Sequence, residues 1–494
     1  MKPQASASPL SRRAGVLAHV SSLAGPIHCG DFGFATSRFL EWCESANLRL
    51  WQVLPLGPTG PGHSPYSSTS AFACNPTWYA HRNSRQQDPG APLDRCDLKL
   101  AASQRRHWLE QDWHAFRHGA NVDERRGFEA YRDSEEQQPW LEDWTLYAAL
   151  KEHHDGRAWF EWDGEFRRRE PRALRSASKK FAERQAYHAW VQYTLDAQAR
   201  SVRASAEARD ILWLGDLPFG VALDSADVWS RRDLFRVDVE GNVAATAGVP
   251  PDDYSSDGQC WNTPLFDWEA LSREDYAWWL ARCRSALRWV HALRVDHFRG
   301  YCSTWEIPAG AERADAGRWV DVPGDELFGA VREAGLGSRL VAEDLGVITA
   351  EVTALRERFG FPGMHVLQFG LDDPESAHHP DQHRKNALAC TGTHDSDTFN
   401  GWYAQLDADR RERVDATLGS TAAPARAAIA RCWKSPAAWV VAPLQDMLEL
   451  GSAARMNRPG KADGQWTWRC DPALLDERRG AWLSELALLY GRAS

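Results

Sequence analysis

The sequence predicts an α/β fold of the (β/α)8 TIM-barrel type, and three observations lead to that prediction. Eight short runs are apolar almost throughout, which is typical of parallel strands buried on both faces. Helical stretches, such as Tyr276–Leu287 and Thr349–Phe359, lie between the later runs. Several runs end in polar side chains, beginning with His19, and the carboxyl ends of the strands form the active-site face of such barrels.

The eight runs are unevenly spaced along the chain. They are Gly15–Val20, Leu48–Leu54, Ile211–Leu217, Ala292–Asp296, Arg339–Glu343, Met364–Phe369, Ala387–Cys390 and Ala438–Leu444. Segment 57–210, between the second and third runs, is far longer than one crossover helix, so we expect a loop and an inserted, mostly helical subdomain there. The catalytic barrel is then residues 1–56 and 211–494, and 226–268 is expected to form a long loop over its mouth.

Composition and charge restrict the classes of function. The chain has 494 residues and a net charge of −10, so it lacks the excess of basic residues that nucleic-acid binding requires. The longest apolar stretches, such as Ala438–Leu444, are far shorter than the roughly 20 residues of a membrane span. A polar beginning, residues 1–13, and 10 cysteines without a CxxC pair favour a cytoplasmic protein with reduced thiols.

Tryptophan is the outlier in the composition, with 25 residues. Its indole ring stacks well on the apolar faces of sugars, but it also fills protein cores. In the inserted segment, Trp140, Trp144, Tyr147 and Ala148 would share one helix face, and Pro139 suits the first helical turn. We therefore expect the tryptophans of the insertion to belong to a core rather than to a ligand site.

The fourth run ends in a cluster of charges. Arg294 and Asp296 are two residues apart, so their side chains point to the same side of a strand. A guanidinium this close favours the ionised carboxylate, which a nucleophile at a sugar anomeric carbon requires. The same pattern also fits a structural arginine–aspartate ion pair, and both interpretations stay open for this segment alone.

A second carboxyl group ends the next run. Because adjacent strands end close together, Glu343 is expected near Asp296. Retaining glycosidases use two carboxyl groups about 5–5.5 Å apart, one as nucleophile and one as acid/base. Burial among apolar residues raises the pKa of a glutamate and lets it donate a proton. The alternative is a solvated pair formed by Glu343 and Asp344 at the strand end.

Further acids follow two other runs. Asp395 follows the seventh run, beside His394, and could hold sugar hydroxyls and stabilise an oxocarbenium-like transition state. Asp216, at the end of the third run, would face the same mouth. A His–Asp pair can also bind a metal, but the sequence has no HxH or cysteine cluster near another strand end. Four acids and one arginine at strand ends together indicate chemistry at a glycosidic bond.

At these residues the chain resembles the amylomaltases, a family also called 4-α-glucanotransferases or disproportionating enzymes. The resemblance extends from Gly15 to Arg469 and consists of many motifs in the same order. The matching stretches include Gly15–Leu17, Trp51–Gly60, Ser64–Tyr66, Ser70–Ala73, Asn75–Pro76, Gly215–Pro218, Asp224–Trp229, Gly248–Asp252, Arg294–Gly300, Ala342–Thr349, Phe361–Met364, Val366–Phe369, Thr391–Asp395, Arg455–Asn457 and Pro459–Gly460.

The resemblance implies an α-amylase-like barrel without a C-terminal β-domain, and it implies a role for each acid. Asp296 would be the nucleophile, Glu343 the acid/base and Asp395 the transition-state stabiliser. Six more residues would bind the glucan at the cleavage point or line its groove, namely Asp216, Arg294, His394, Tyr66, Gln259 and Trp261. The family needs no metal or organic cofactor, and the implied partners are α-1,4-glucans such as maltodextrins, starch and glycogen.

The implied reaction is a double displacement through a covalent glucosyl-enzyme, in which an acceptor 4-hydroxyl replaces water. The candidate for excluding water is a loop with Pro250, Pro251, Asp252 and Tyr254. Two alternatives are an α-glucan hydrolase using the same three acids and an inactive glucan-binding protein. The sequence departs from the family pattern at Ser67, Cys74, Asn262, Phe266, Cys390, Ser396 and His378 to Arg384, and none of these is a proposed catalytic carboxylate.

Overall fold

The structure, a computed structural model, describes residues 10–25, 28–82, 94–251, 257–311, 313–419, 422–461 and 464–493. Within these ranges the strands are β1 (Arg13–Leu17), β2 (Leu50–Gln52), β3 (Leu212–Leu217), β4 (Ala245–Val249), β5 (Gln259–Pro264), β6 (Ala292–Val295), β7 (Ser303–Pro308), β8 (Arg318–Asp321), β9 (Leu340–Ala342), β10 (Gly363–Val366), β11 (Ala387–Cys390) and β12 (Trp439–Pro443). The α-helices are α1 (Phe34–Ser45), α2 (Leu98–Gly119), α3 (Val122–Arg132), α4 (Leu141–His153), α5 (Gly164–Arg167), α6 (Pro171–Lys180), α7 (Ala182–Glu207), α8 (Ala226–Ser230), α9 (Trp268–Arg273), α10 (Ala277–Trp289), α11 (Gly324–Glu333), α12 (Ala350–Arg358), α13 (Phe399–Ala404), α14 (Ala408–Leu418), α15 (Pro424–Lys434), α16 (Leu444–Met447) and α17 (Glu477–Leu489).

Eight strands form one parallel sheet that is nearly closed on itself. Their order is β10-β11-β12-β1-β2-β3-β6-β9. The two outer strands meet where Ala342 N, at the end of β9, donates to Pro362 O, just before β10, at 2.8 Å. Each of the eight apolar runs contains or overlaps one of these strands, and helices α10, α11 and α12 lie between the later ones. The predicted (β/α)8 barrel is confirmed.

Close approach of neighbouring strands explains one glycine near the start of the barrel. Gly15 on β1 pairs with Leu50 on β2. A Cβ atom at position 15 would lie 2.2 Å from the Leu50 carbonyl oxygen, a distance that real Cβ atoms do not reach. Glycine is therefore required for these two strands to pair at this register.

The segment expected as an insertion is helical over most of its described length, where it forms α2 to α7. Its predicted aromatic helix face is present in α4, and Trp140, Trp144, Tyr147 and Ala148 are all buried. Their burial confirms that these tryptophans serve as core residues. The division of the chain into a barrel and an inserted subdomain at 57–210 stays a prediction.

Residues 226–268 are not the continuous loop that the sequence suggested. They contain helix α8, and strands β4 and β5 that join β7 and β8 in an antiparallel sheet of order β5-β4-β7-β8. Because β4 bonds to β5 on one side and to β7 on the other, its backbone groups are satisfied within a sheet. Asp252 and Tyr254, expected in the same loop, lie outside the described residues.

The outer wall of the barrel has a tryptophan pair at its centre. Trp51 on β2 and Trp213 on β3 are fully buried, and their rings stack with centroids 5.0 Å apart. Phe39 of α1 contacts Trp51 with ring centroids 5.5 Å apart. The pair therefore joins two strands of the barrel to the first helix.

We expect Trp213→Ala to lower the free energy of unfolding by about 3–5 kcal/mol, because it leaves a large cavity between β2, β3 and α1. Thermal or denaturant unfolding measures the loss. The matched control is Trp482→Ala on α17, where the tryptophan is only partly buried and packs against Arg426. A Trp213 variant no less stable than this control would contradict the assignment.

Candidate active site

Sheet register brings the predicted site residues to the same end of the barrel. Asp216 on β3 pairs with Arg294 on β6. On the other side of β6, Val295 pairs with Ala342 of β9, so the residues that follow, Asp296 and Glu343, leave neighbouring strands side by side. Asp395 follows β11 by a few residues. All of these side chains lie at the carboxyl ends of barrel strands, the face where barrel enzymes carry out chemistry.

Arg294 is the centre of the site's charge network. Its Nη1 donates to Asp216 at 2.8 and 2.7 Å and to Asp296 Oδ1 at 2.9 Å. Its Nη2 lies 3.7 Å from Glu343 Oε2. Burial disfavours the charged guanidinium, but Asp216 and the other neighbouring anions raise the pKa of Arg294 well above its ordinary value. One permanent cation therefore holds three carboxyl groups together, including the two proposed to react.

Arg294 pairs with both Asp216 and Asp296, so the ion pair considered for this motif is present, and the nucleophile role of Asp296 stays a prediction. Asp216 is the structural ion-pair partner, because its side chain is fully buried and accepts from both Arg294 and the Tyr66 hydroxyl, the latter at 2.7 Å. It does not line the cleft that contains Asp296. Arg294 and Tyr66 lie over its carboxylate, and the expectation that Asp216 binds the sugar stays a prediction. Its carboxylate orients these two residues.

Glu343 has the environment of a proton donor. Its side chain is 14% exposed, and its Oε2 accepts from His297 N at 2.5 Å. Burial, with Asp296 nearby, raises the pKa of Glu343 to about 8 against the opposing effect of Arg294. The neighbouring Asp344 is buried and bound by Met364 N–H at 2.6 Å, so the two acids do not form the solvated pair considered above.

Asp395 has the opposite electrostatic setting. Burial would raise its pKa, but His394, Asn457 and Arg294 lower the pKa of Asp395 to about 2. His394 Nε2 lies 3.3 Å from Asp395 Oδ2, and Asn457 Nδ2 donates to Oδ1 at 2.5 Å. The backbone oxygen of Asp395 accepts from Arg455 at 2.6 Å. This carboxylate is therefore fixed in position and ionised at neutral pH, while Glu343 is protonated.

A cleft of about 530 Å³ opens above these residues. Tyr66 and His394 stack on one side of it, with ring centroids 5.1 Å apart. Trp261 and Gln259 line it as well, and Trp261 Nε1 donates to Gln259 Oε1 at 3.2 Å. Of the nine residues predicted for the site, the cleft is lined by Asp296, Glu343, Asp395, Arg294, His394, Tyr66, Gln259 and Trp261.

Sequence reasoning missed three residues that shape this cleft. Asn457 orients Asp395, and Trp466 lies 6.0 Å from His394 between ring centroids. His297 has a left-handed backbone, with φ of 48°, which directs its N–H to Glu343. Asn457 belongs to the matching stretch Arg455–Asn457, so a signal for it was present. No sequence pattern distinguishes Trp466 from the other tryptophans.

The structure also bears on metals and membranes. In the described parts of the chain, no three His, Cys, Asp or Glu side chains are grouped so that they could hold a metal ion. No helix within the same parts is long and apolar enough to cross a bilayer.

The fold and the cleft define a class of protein, a (β/α)8 enzyme with paired carboxyl groups for chemistry at a glycosidic bond. Comparison with known proteins shows which family within this class the chain belongs to. Residues 18–475 match the family model described as 4-alpha-glucanotransferase. The chain belongs to this family, and its activity is the transfer of α-1,4-glucan segments by the family's retaining mechanism.

Similar proteins support the match along nearly the full chain. A 4-alpha-glucanotransferase of Thermus thermophilus is 42% identical, with 97% of this chain and 98% of the relative covered. One from Synechocystis is 40% identical over the same shares. Among solved structures, an amylomaltase from Streptococcus agalactiae in complex with acarbose has a TM-score of 0.92 and 30% identity, covering 97% of this chain and 99% of that one.

Proposed function

We propose that Asp296 is the nucleophile, Glu343 the acid/base and Asp395 the transition-state stabiliser of this glucan transfer. The observation that carries the proposal is the contact of Asp296 and Glu343 with the same guanidinium, that of Arg294. That contact keeps a nucleophile and a proton donor close enough together to flank one glycosidic bond, as a retaining mechanism requires.

In the first step Asp296 attacks C1 of the donor glucan while Glu343 protonates the departing glycosidic oxygen. The C1–oxygen bond breaks, an ester to Asp296 forms with inverted configuration, and the leaving glucan departs with the proton. Positive charge develops at C1 during this exchange. The ionised Asp395, held by Asn457 and His394, stabilises that charge and the sugar hydroxyls near it.

In the second step the 4-hydroxyl of an acceptor glucan attacks C1 and gives its proton to Glu343, which restores the α-linkage and frees Asp296. Water at about 55 M competes with the acceptor, so the acceptor must be held in place with a high effective concentration. The rings of Trp261 and Tyr66 on the cleft wall are suited to hold it by stacking.

Incubation of the protein with maltotriose tests the proposed transfer. We expect a ladder of longer maltodextrins together with glucose, and a constant number of reducing ends, because each transfer makes one glycosidic bond for each one that it breaks. An α-glucan hydrolase would give only shorter sugars and a steady rise in reducing ends. No products at all would favour an inactive glucan-binding protein.

We expect kcat/KM to fall above about pH 8, by about tenfold per pH unit, because the first step needs Glu343 in its protonated form. The raised pKa means that Glu343 keeps its proton below this value and loses it above. Initial rates on maltotriose between pH 5 and 10 measure the profile. A rate that stays constant to pH 10 would contradict the acid role, provided that the protein remains folded by circular dichroism.

Maltodextrins, starch and glycogen are the proposed substrates, because a long open cleft with aromatic walls suits α-1,4-glucan chains of several lengths. A cytoplasmic location is proposed as well. It is supported by the 10 cysteines, all of which are free thiols.

A further inference from the structure

A small cavity of about 20 Å³ adjoins the catalytic cleft, and His394 lines both. A cavity needs at least about 10–15 Å³ to hold a water molecule, so there is room for one. The rest of its wall mixes apolar and polar residues, and the polar ones include His19, Ser22, Asp397, Gln445 and Arg455.

His19 is the exceptional group on this wall. It follows β1, is 4% exposed and packs edge-to-face on Trp78 with ring centroids 5.2 Å apart. Within the described residues, neither ring nitrogen has a hydrogen-bond partner. Burial and the nearby His394 lower the pKa of His19 to about 3, so the ring is neutral and offers one donor and one acceptor. Buried polar groups almost always have a partner, and the described part of the chain provides none for the His19 ring.

Two of the other polar groups, Gln445 and Arg455, are already engaged. Gln445 Nε2 donates to Ala454 O at 3.2 Å, and Arg455 Nη2 donates to Asp395 O at 2.6 Å. The Ser22 hydroxyl contacts a methionine sulfur at 3.9 Å, a weak interaction that leaves its oxygen able to accept another hydrogen bond. A polar molecule in this cavity therefore meets His19 and Ser22, and it lies against His394.

We propose that the cavity binds one ordered water molecule, which joins a ring nitrogen of His19 to the ring of His394. Such a water has three polar neighbours, the number that buried waters typically have. The inference rests on the role proposed above for Asp395, because His394 lies 3.3 Å from that carboxylate. Through the water, His19 is a positioning residue for His394 and Asp395.

The bound water has a specific consequence for His394. Tyr66 stacks on its ring, which restricts tilting but not rotation of the imidazole within its own plane. Asp395 favours the proton on Nε2, and a hydrogen bond from the cavity side would hold the imidazole in the orientation that this contact needs. The geometry of the His394–Asp395 contact thus depends on a residue at the end of a different strand.

A crystal structure of the full chain, at a resolution that shows ordered water, tests the site directly. We expect one peak in the cavity, about 2.7–3.2 Å from a His19 ring nitrogen and within hydrogen-bond reach of His394. A dry cavity in the wild-type protein would overturn the inference. His19→Phe keeps an aromatic ring but removes both nitrogens, and the peak should disappear.

Kinetics on maltotriose tests the positioning role. We expect His19→Phe to lower kcat about tenfold and to change KM by less than about twofold, because lost positioning affects the transition state more than binding. His19→Gln should recover most of kcat, since an amide can donate to and accept from the water. An unchanged kcat in His19→Phe, or the same loss in His19→Gln, would overturn the role.

The control is His291→Phe. His291 precedes β6, at the end of the barrel away from the cleft, and its ring accepts from Trp213 N at 2.9 Å. This variant also loses a histidine hydrogen bond, so its stability should fall while kcat is retained. The experiment separates failure of this inference from failure of the proposed function. If the role proposed for Asp395 is wrong, Asp395→Asn remains active whatever the cavity contains. A missing water peak with an inactive Asp395→Asn variant would overturn the inference about His19 alone.

Discussion

Replacing Asp296 with asparagine should lower transfer activity about ten-thousand-fold or more, because the amide cannot form the covalent ester on which both steps depend. The change leaves the fold intact, since Arg294 keeps its two contacts with the buried Asp216. Glucose release and product lengths on maltotriose measure the effect. Activity within about tenfold of the wild type would refute the assignment of the nucleophile.

A matched control is Asp210→Asn. This aspartate precedes β3 at the opposite end of the barrel, and its exposed carboxylate pairs with Arg13 at 2.9 Å. We expect this variant to retain full activity. Equal unfolding temperatures for the two variants would show that the loss at position 296 is chemical.

Glu343→Gln should produce a loss that depends on the leaving group. On maltotriose we expect a fall of about 100- to 10,000-fold, because the departing glucan receives no proton. With a maltosyl fluoride donor of α configuration the first step should be largely retained, since fluoride leaves without protonation. The second step still lacks a base, so the ester accumulates and fluoride is released in a burst equal to the enzyme concentration.

Mass spectrometry of peptides from this reaction should locate the sugar on Asp296. The exposed Glu333 at the end of α11 provides the control, and Glu333→Gln should behave like the wild type. Equal losses of Glu343→Gln on both donors would contradict its role as the acid. Asp296→Asn should give no burst with the fluoride, which separates the two roles.

The barrel could be predicted because each strand is buried on both faces and carries that information in a local apolar run. The ends of the strands were predicted less accurately. The run Arg339–Glu343 contains a strand of only three residues, Leu340–Ala342, because the Glu343 side chain already faces the cleft. The antiparallel sheet was missed for a different reason. Its strand Ala245–Val249 pairs with Ser303–Pro308, far along the chain, and short strands with distant partners leave little local signal.

The site was predictable to the extent that it depends on strand order. Asp296 and Glu343 follow adjacent strands, so their proximity follows from the barrel itself. The surroundings of Asp216 could not be predicted, because they depend on packing between distant segments. Tyr66, 150 residues earlier in the chain, lies over its carboxylate. His19 illustrates the same limit, because a strand-end histidine in the sequence does not reveal that neither nitrogen has a partner among the residues that the structure describes.

The guanidinium of Arg294, surrounded by three carboxyl groups, also determines how the enzyme responds to its solvent. These charges contact one another directly within the protein, and a neutral sugar brings no counter-ions of its own. Mobile ions screen exposed charges separated by about 10 Å or more, but they have little effect on buried pairs in direct contact. Turnover should therefore be nearly independent of ionic strength, unlike that of enzymes whose substrates carry phosphate groups.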